Sequence, residues 1–289
     1  MTLFLFLIVQ GVLIGGLYAL FAVGLSLSMG VLRFINIAHG DYIVAGSFLL
    51  LSVCGFLGLS PFIAVILMLP FGYAGGYVIE RFLLNKIARK GGGVLPVILV
   101  TLAMGVIIQN ALLEGYGPNT RKLFGGSIEV ASINIGGLFD VGLFPLAVFG
   151  TAILVIGCLE LFLHRTSMGA RIRAVADDPA AANLIGLPSA QIHAMAMGIV
   201  GITIMIAACC MAVWTNFDPN IGPSRLLAAF EVVVLGGLGS LWGTLAGGIV
   251  IGIAQNIGAQ FDAAWQTLAQ HLVFLAILVI RPQGLFKRD

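Results

Sequence analysis

Charge is what this chain has least of. Lys, Arg, Asp and Glu make up 9% of its 289 residues, against roughly 25% in soluble domains. That shortage excludes a water-soluble globular protein, which would have too little polar surface to cover itself. The net charge of +2 is too small to suggest a nucleic-acid partner, and none is expected. Only four cysteines occur, Cys54, Cys158, Cys209 and Cys210, all inside apolar runs. They lack metal-ligand spacing and read as small buried hydrophobes rather than disulfides. No metal or cofactor is expected. The G-x-x-x-x-G-K-[ST] loop that cradles nucleotide phosphates is missing, as are H-E-x-x-H and G-x-S-x-G. The chain is therefore not expected to be an enzyme, and any energy it uses must come from a partner. Without a soluble domain or linker, it reads as one transmembrane domain over 1–289.

What is abundant is apolar sequence. Hydrophobic residues make up 60% of the chain, and mean hydropathy is +1.11. A membrane-spanning helix needs about 20 mostly apolar residues. Runs at 4–29, 42–58, 61–79, 94–113, 142–163, 192–214 and 264–280 qualify. The opening "MTLFLFLIVQ" has no basic n-region and reads as a retained span. These runs predict an all-α polytopic membrane protein with about eight transmembrane helices.

Basic residues orient the bundle. Arg81, Lys86, Arg89 and Lys90 share one loop, Arg165, Arg171 and Arg173 another, and Arg281, Lys287 and Arg288 close the chain. Loops 80–93 and 164–191 and the C-terminus are then expected in the cytoplasm of a bacterial inner membrane. Segments 114–140 and 215–227 and the N-terminus are expected on the periplasmic side. Region 228–260 must start and finish outside, yet it is short of the roughly 40 residues that two full spans need. Its centre, "GGLGSLWGTLAGG", is glycine-rich and predicts two short or half helices meeting at a turn; the competing reading is two thin, tilted full spans. A second break is expected near 33–41.

Polar residues inside a membrane are costly and mark function by default. "NIAHGD" supplies Asn36, His39, Gly40 and Asp41 between two apolar runs, and a broken helix there would turn backbone toward a cavity. Glu231 is a lone carboxylate near Gly236, Gly237 and Gly239. These eight residues are the candidate solute path. The competing readings are a plain turn capped by Asp41, and Glu231 as a structural or gating tie, with Arg225 one candidate partner. Glycines at close spacing, such as Gly11, Gly15 and Gly16, read as helix-packing contacts.

The longest polar run is "HRTSMGARIRAVADDPAAANLIGLPSAQ". Asp178 followed by Pro179 is an N-cap before proline at the first helical position. Gly186 and Pro188 are stop signals. Ala180, Ala181, Ala182 and Leu184 lie between them, in a helix of about two turns that is too short to be stable alone. Upstream, Gly169, Arg171 and Arg173 fit a segment lying at the membrane face.

This run resembles the cytoplasmic coupling loop of permeases in the branched-chain amino acid class of ABC importers. "GLYALFAVGLSLSMGVLRFINIAHGDYIVAGSF", "FEVVVLGGLGSLWGTLAGGIVIG" and "RPQGLF" resemble three further signatures of that family, in the family's order. The resemblance implies a second related permease, two cytoplasmic ABC ATPases and a periplasmic substrate-binding protein as partners. It also implies that the short helix docks in an ATPase groove. The implied solute is a branched-chain or related amino acid, although similar permeases take urea, amides or aromatic acids. The competing function is a channel or secondary transporter working without ATPases. Only Asp41 and Glu231 would then be available for ion coupling.

Overall fold

The first helix, α1 (Thr2–Leu32), runs about 46 Å at 1.5 Å per residue, longer than the roughly 30 Å hydrocarbon core. The computed structural model describes residues 2–88, 94–137 and 139–286. Arg89, Lys90, Lys287 and Arg288, expected among the basic loop and tail residues, lie outside the described residues.

Next come α2 (His39–Leu57) and α3 (Pro61–Val78), which continues through a π-helical turn (Ile79–Leu84) into α4 (Asn85–Ala88). They are followed by α5 (Val94–Tyr116), α6 (Ser127–Val130) and a hairpin of β1 (Ser132–Ile135) and β2 (Phe139–Gly142), with Ser132 paired to Gly142. Then come α7 (Leu143–Arg165), α8 (Ser167–Asp177), α9 (Pro179–Leu184) and α10 (Ser189–Trp214). The chain closes with α11 (Gly222–Gly236), α12 (Leu241–Gly258) and α13 (Ala263–Ile280). Among the described residues, eight helices are long and apolar enough to cross a membrane. The 15-residue α11 is not one of them.

Helices α1 and α10 form the centre. Leu17 to Ser28 of α1 are all buried. Glycines set the close approaches. A Cβ on Gly15 would sit 2.7 Å from the Gly248 carbonyl, and one on Gly72 2.7 Å from the Gly201 carbonyl. Packing of this kind replaces the hydrophobic drive that is missing between helices in lipid. Outward faces are apolar instead, as at Phe71 (68% exposed) and Val279 (83%).

Contacts between distant segments sort the helix ends onto two sides. Arg33 Nη2 donates to the Asp177 carbonyl at 3.1 Å, and Asn85 Nδ2 donates to that of Ala190 at 3.0 Å. Leu285 N donates to Leu235 O at 2.7 Å. On the opposite side, Asn256 Nδ2 donates to Leu7 O at 2.7 Å, and Arg121 pairs with Phe217 through backbone bonds of 2.7 and 2.9 Å. Arg33, Arg81, Lys86, Arg165, Arg171, Arg173 and Arg281 share the first side.

In place of two short helices within 228–260, α11 begins earlier, at Gly222, and is short, while α12 is long enough to cross; Gly237–Ser240 join them. The expected break near 33–41 is also present. Arg33 adopts φ +56° and ends α1, and α2 begins only at His39.

Candidate functional site

The first break is a climb back into the bundle. His39 donates through Nε2 to the Phe21 carbonyl at 2.9 Å. Phe21 lies twelve residues above Arg33, about 18 Å along α1. The segment climbs back along α1 and ends in a turn, closed by His39 N donating to Asn36 O at 3.2 Å, and the His39 side chain spans the rest of the distance. The start of α2 is thereby held inside the bundle. The released backbone finds side-chain partners, as buried groups must. Ala38 N donates to Asn36 Oδ1 (3.1 Å) and Ile37 N to Thr101 Oγ1 (3.2 Å).

Two helix N-termini meet there. A Cβ on Gly40 would overlap the Gly222 carbonyl and come within 2.7 Å of Leu226 N, so only glycine lets α2 and α11 cross. Asp41, 3% exposed, lies against Gly222 on one side and Gly105 of α5 on the other. Its Oδ1 accepts from Gln109 Nε2 at 2.9 Å. Asn36, His39 and Thr101 are buried beside it, and His39 Nδ1 has no partner among the described residues. Two half-helix starts, a carboxylate and an imidazole thus converge at membrane depth. Helix N-termini carry partial positive charge, which Asp41 complements.

The other four path candidates do not join this junction. Glu231 is 2% exposed, accepts from Gln270 Nε2 at 2.7 Å and pairs with His271 Nδ1, both on α13. Glu231 is therefore tied to α13 and not to Arg225, whose guanidinium lies over the Phe21 ring. Gly236 packs on Gly243, Gly237 on Phe286 of the tail and Gly239 on Gly30. These glycines form a turn on the Arg33 side, closed against Gly243, Gly30 and the tail. Gln109 reads from sequence as a pore-lining or interhelical hydrogen-bonding residue, but its partner Asp41, and Thr101 altogether, were not legible, because these contacts span 68 and 64 residues.

The polar run 164–191 is a second constellation. Thr166 caps α8 by accepting from Gly169 N at 3.0 Å, and a Cβ on Gly169 would overlap the Phe162 and Leu163 carbonyls. The apolar face of α8, Ile172 and Val175, is buried. Asp178 Oδ1 accepts from Ala180 N (2.9 Å) and Ala181 N (3.0 Å), so Pro179 starts α9 with its cap satisfied. Gly186 closes it at φ +85°. Ser189 Oγ donates to Pro179 O at 3.0 Å and pins the start of α9 to α10. Ala182, grouped with the coupling residues, faces inward at 3% exposure. The outward residues include Ala180, Ala181, Leu184 (90% exposed) and Ile185 (75%). Arg171 is exposed, whereas Arg173 is half-buried.

Comparison with known proteins decides the family. The profile of the family described as branched-chain amino acid transport system / permease component matches residues 7–281. The chain belongs to that family. The permease is 28% identical over 294 residues to the high-affinity branched-chain amino acid transport system permease protein BraD of Pseudomonas aeruginosa, covering 97% of this chain and 95% of BraD. Against LivH of Escherichia coli K12, a permease protein of the same description, identity is 25% over 293 residues, covering 96% and 94%. Against the fructose import permease protein FrcC of Rhizobium meliloti it is 26% over 265 residues, covering 85% and 69%. The permease is thus a multi-pass transport subunit.

Proposed function

We propose that the permease is one half of the membrane channel of an ATP-driven importer for a branched-chain or related apolar amino acid. It pairs with a second related permease, receives solute from a periplasmic binding protein and is driven by two cytoplasmic ATPases. The side bearing Arg33, Arg81, Arg165 and Arg281 faces the cytoplasm of a bacterial inner membrane, as the excess of basic residues there requires. The N-terminus then lies on the periplasmic side.

One observation carries this reading. A helix capped at both ends presents Leu184 and Ile185, 90% and 75% exposed, at the tip of a polar loop beyond the membrane. Two large aliphatic side chains in water are a cost unless a partner covers them. Through α8, which packs on α1, α7 and α10, a push on α9 reaches the core of the bundle. On this reading, solute crosses beside Asn36, His39, Gly40 and Asp41, where α2, α5 and α11 meet.

The test is Leu184→Asp with Ile185→Asp in the assembled transporter. Both side chains are exposed, so the bundle should fold and insert normally. ATP-driven uptake should fall by about tenfold or more, because two apolar anchors of an interface are lost. Normal uptake with normal ATPase co-purification removes the coupling role. Uptake that persists in vesicles lacking any ATPase favours the channel or secondary-transporter reading.

A further inference from the structure

A cavity of about 280 Å³ opens between α1, α7, α8 and α12 on the basic side, away from the junction at Asp41. This is near the lower end of the roughly 300–1,000 Å³ range of ligand pockets. Its walls carry one fixed charge of each sign: Glu160 from α7 and Arg173 from α8. Arg173 Nη1 is buried with no hydrogen-bond partner among the described residues. The same holds for Ser26 Oγ of α1, a residue with no exposed surface. The start of α12, from Ser240 to Trp242, forms another wall, and Ser240 Oγ caps it by accepting from Gly243 N at 3.1 Å. Leu27, Val31 and Ile172 supply apolar surface. Glu160 has one neighbour already, His164 Nδ1 at 3.3 Å.

Unsatisfied donors are costly when buried, so this arrangement calls for a ligand with an acid and a base close together and an apolar remainder. We propose that the cavity is a product-sensing site. It binds an α-amino acid with an apolar side chain from the cytosolic side, the carboxylate on Arg173 and Ser26 and the ammonium on Glu160. A ligand held this way bridges α8 to α7 and α1, and so holds the coupling arm against the bundle. A phospholipid headgroup offers the same pair of charges, but its apolar chains hang from the phosphate through glycerol instead of sitting on the carbon that bears the ammonium, so phosphoethanolamine serves as the competing probe. The binding half stands apart from the proposed function, and the braking half rests on it.

Trp242, 46% exposed, reports occupancy. L-leucine is titrated into the purified assembled transporter while tryptophan fluorescence and isothermal heat are recorded. The expected result is a saturable signal that survives Asp41→Asn. Glu160→Gln and Arg173→Gln should each weaken it by about tenfold or more, the effect of removing one charged hydrogen bond. Trp242→Phe should lose the optical change but keep the heat. Leucinamide and 4-methylpentanoate, each lacking one charge, should bind poorly. In proteoliposomes, leucine on the ATPase side should slow ATP hydrolysis in the parent and not in Glu160→Gln. No saturable leucine signal, a signal unchanged in Glu160→Gln and Arg173→Gln, or stronger binding of phosphoethanolamine than of leucine overturns the site. Leucine binding that leaves hydrolysis unchanged overturns the brake. Loss of uptake coupling in the Leu184 and Ile185 variants bears on the proposed function and leaves the binding result intact.

Discussion

Among the described residues, the interruptions of helical geometry at Arg33–Ala38 and at Gly237–Ser240 are made of opposite materials. The first is satisfied by side chains: Asn36, Thr101 and His39 take up backbone groups, and Gln109 meets Asp41. The second is satisfied largely by backbone. Gly237 and Gly239 adopt φ of +96° and +81°, and Leu285 N reaches back to Leu235 O. A break lined with polar side chains leaves chemistry at membrane depth. A break closed by glycine and tail backbone leaves a fixed corner, one face of which walls the cavity at Glu160 and Arg173. Glycine-rich sequence is therefore not in itself a sign of a path.

Substitutions can break this comparison. The largest effect is expected from Gly40→Val, which drives a branched side chain into the Gly222 carbonyl. Overpacking of this kind costs about 1–3 kcal/mol, sometimes more, and no folded transporter should elute from a size-exclusion column. Next is Asp41→Ala, which leaves Gln109 Nε2 unpaired, a loss of about 1–3 kcal/mol. Uptake should fall by about tenfold or more while the protein remains folded. At the second break, Gly237→Ala should cost about 1–3 kcal/mol from a strained φ, read as a lower melting temperature, with uptake kept in the folded fraction. Ending the chain after Leu285 should relieve part of that cost, because the added Cβ meets the Phe286 carbonyl.

The smallest effect lies outside the membrane. Glu129 Oε1 accepts from Lys122 Nζ at 2.6 Å and Oε2 from Gly125 N at 2.8 Å. The Lys122 ammonium foremost, then the Gly125 amide, hold its carboxyl below the usual range. A depressed pKa stabilises the folded loop above the unfolded value, about 4.3, and the contribution is lost as pH falls through the folded value. An exposed pair contributes less than about 1 kcal/mol. Amide exchange at Gly125 should quicken below about pH 4, once corrected for intrinsic rates, and Glu129→Gln should remove that pH dependence.

Local chemistry was legible in the sequence and remote pairing was not. The spans followed from apolar run length, and α9 from Asp178, Pro179 and Gly186, because caps act over a few residues. The 11-residue α8 was missed although Thr166 is its cap, since its helix carries half-buried Arg173 among small residues and no long apolar stripe. The hairpin at Ser132–Gly142 and the π-helical turn at Ile79–Leu84 had no strong signal. Glu231 had one candidate partner in sequence, Arg225, six residues away and off its helix face. Its partners, Gln270 and His271, lie 39 and 40 residues on.

The most direct test concerns the junction of α2, α5 and α11. In a background with the four cysteines replaced, Asn36→Cys, Gln109→Cys and Thr244→Cys are exposed to a small water-soluble thiol reagent through the ATP cycle. The account requires labelling at positions 36 and 109 that changes with nucleotide state, and none at 244 in α12. Positions 36 and 109 that stay unlabelled in every state would contradict it.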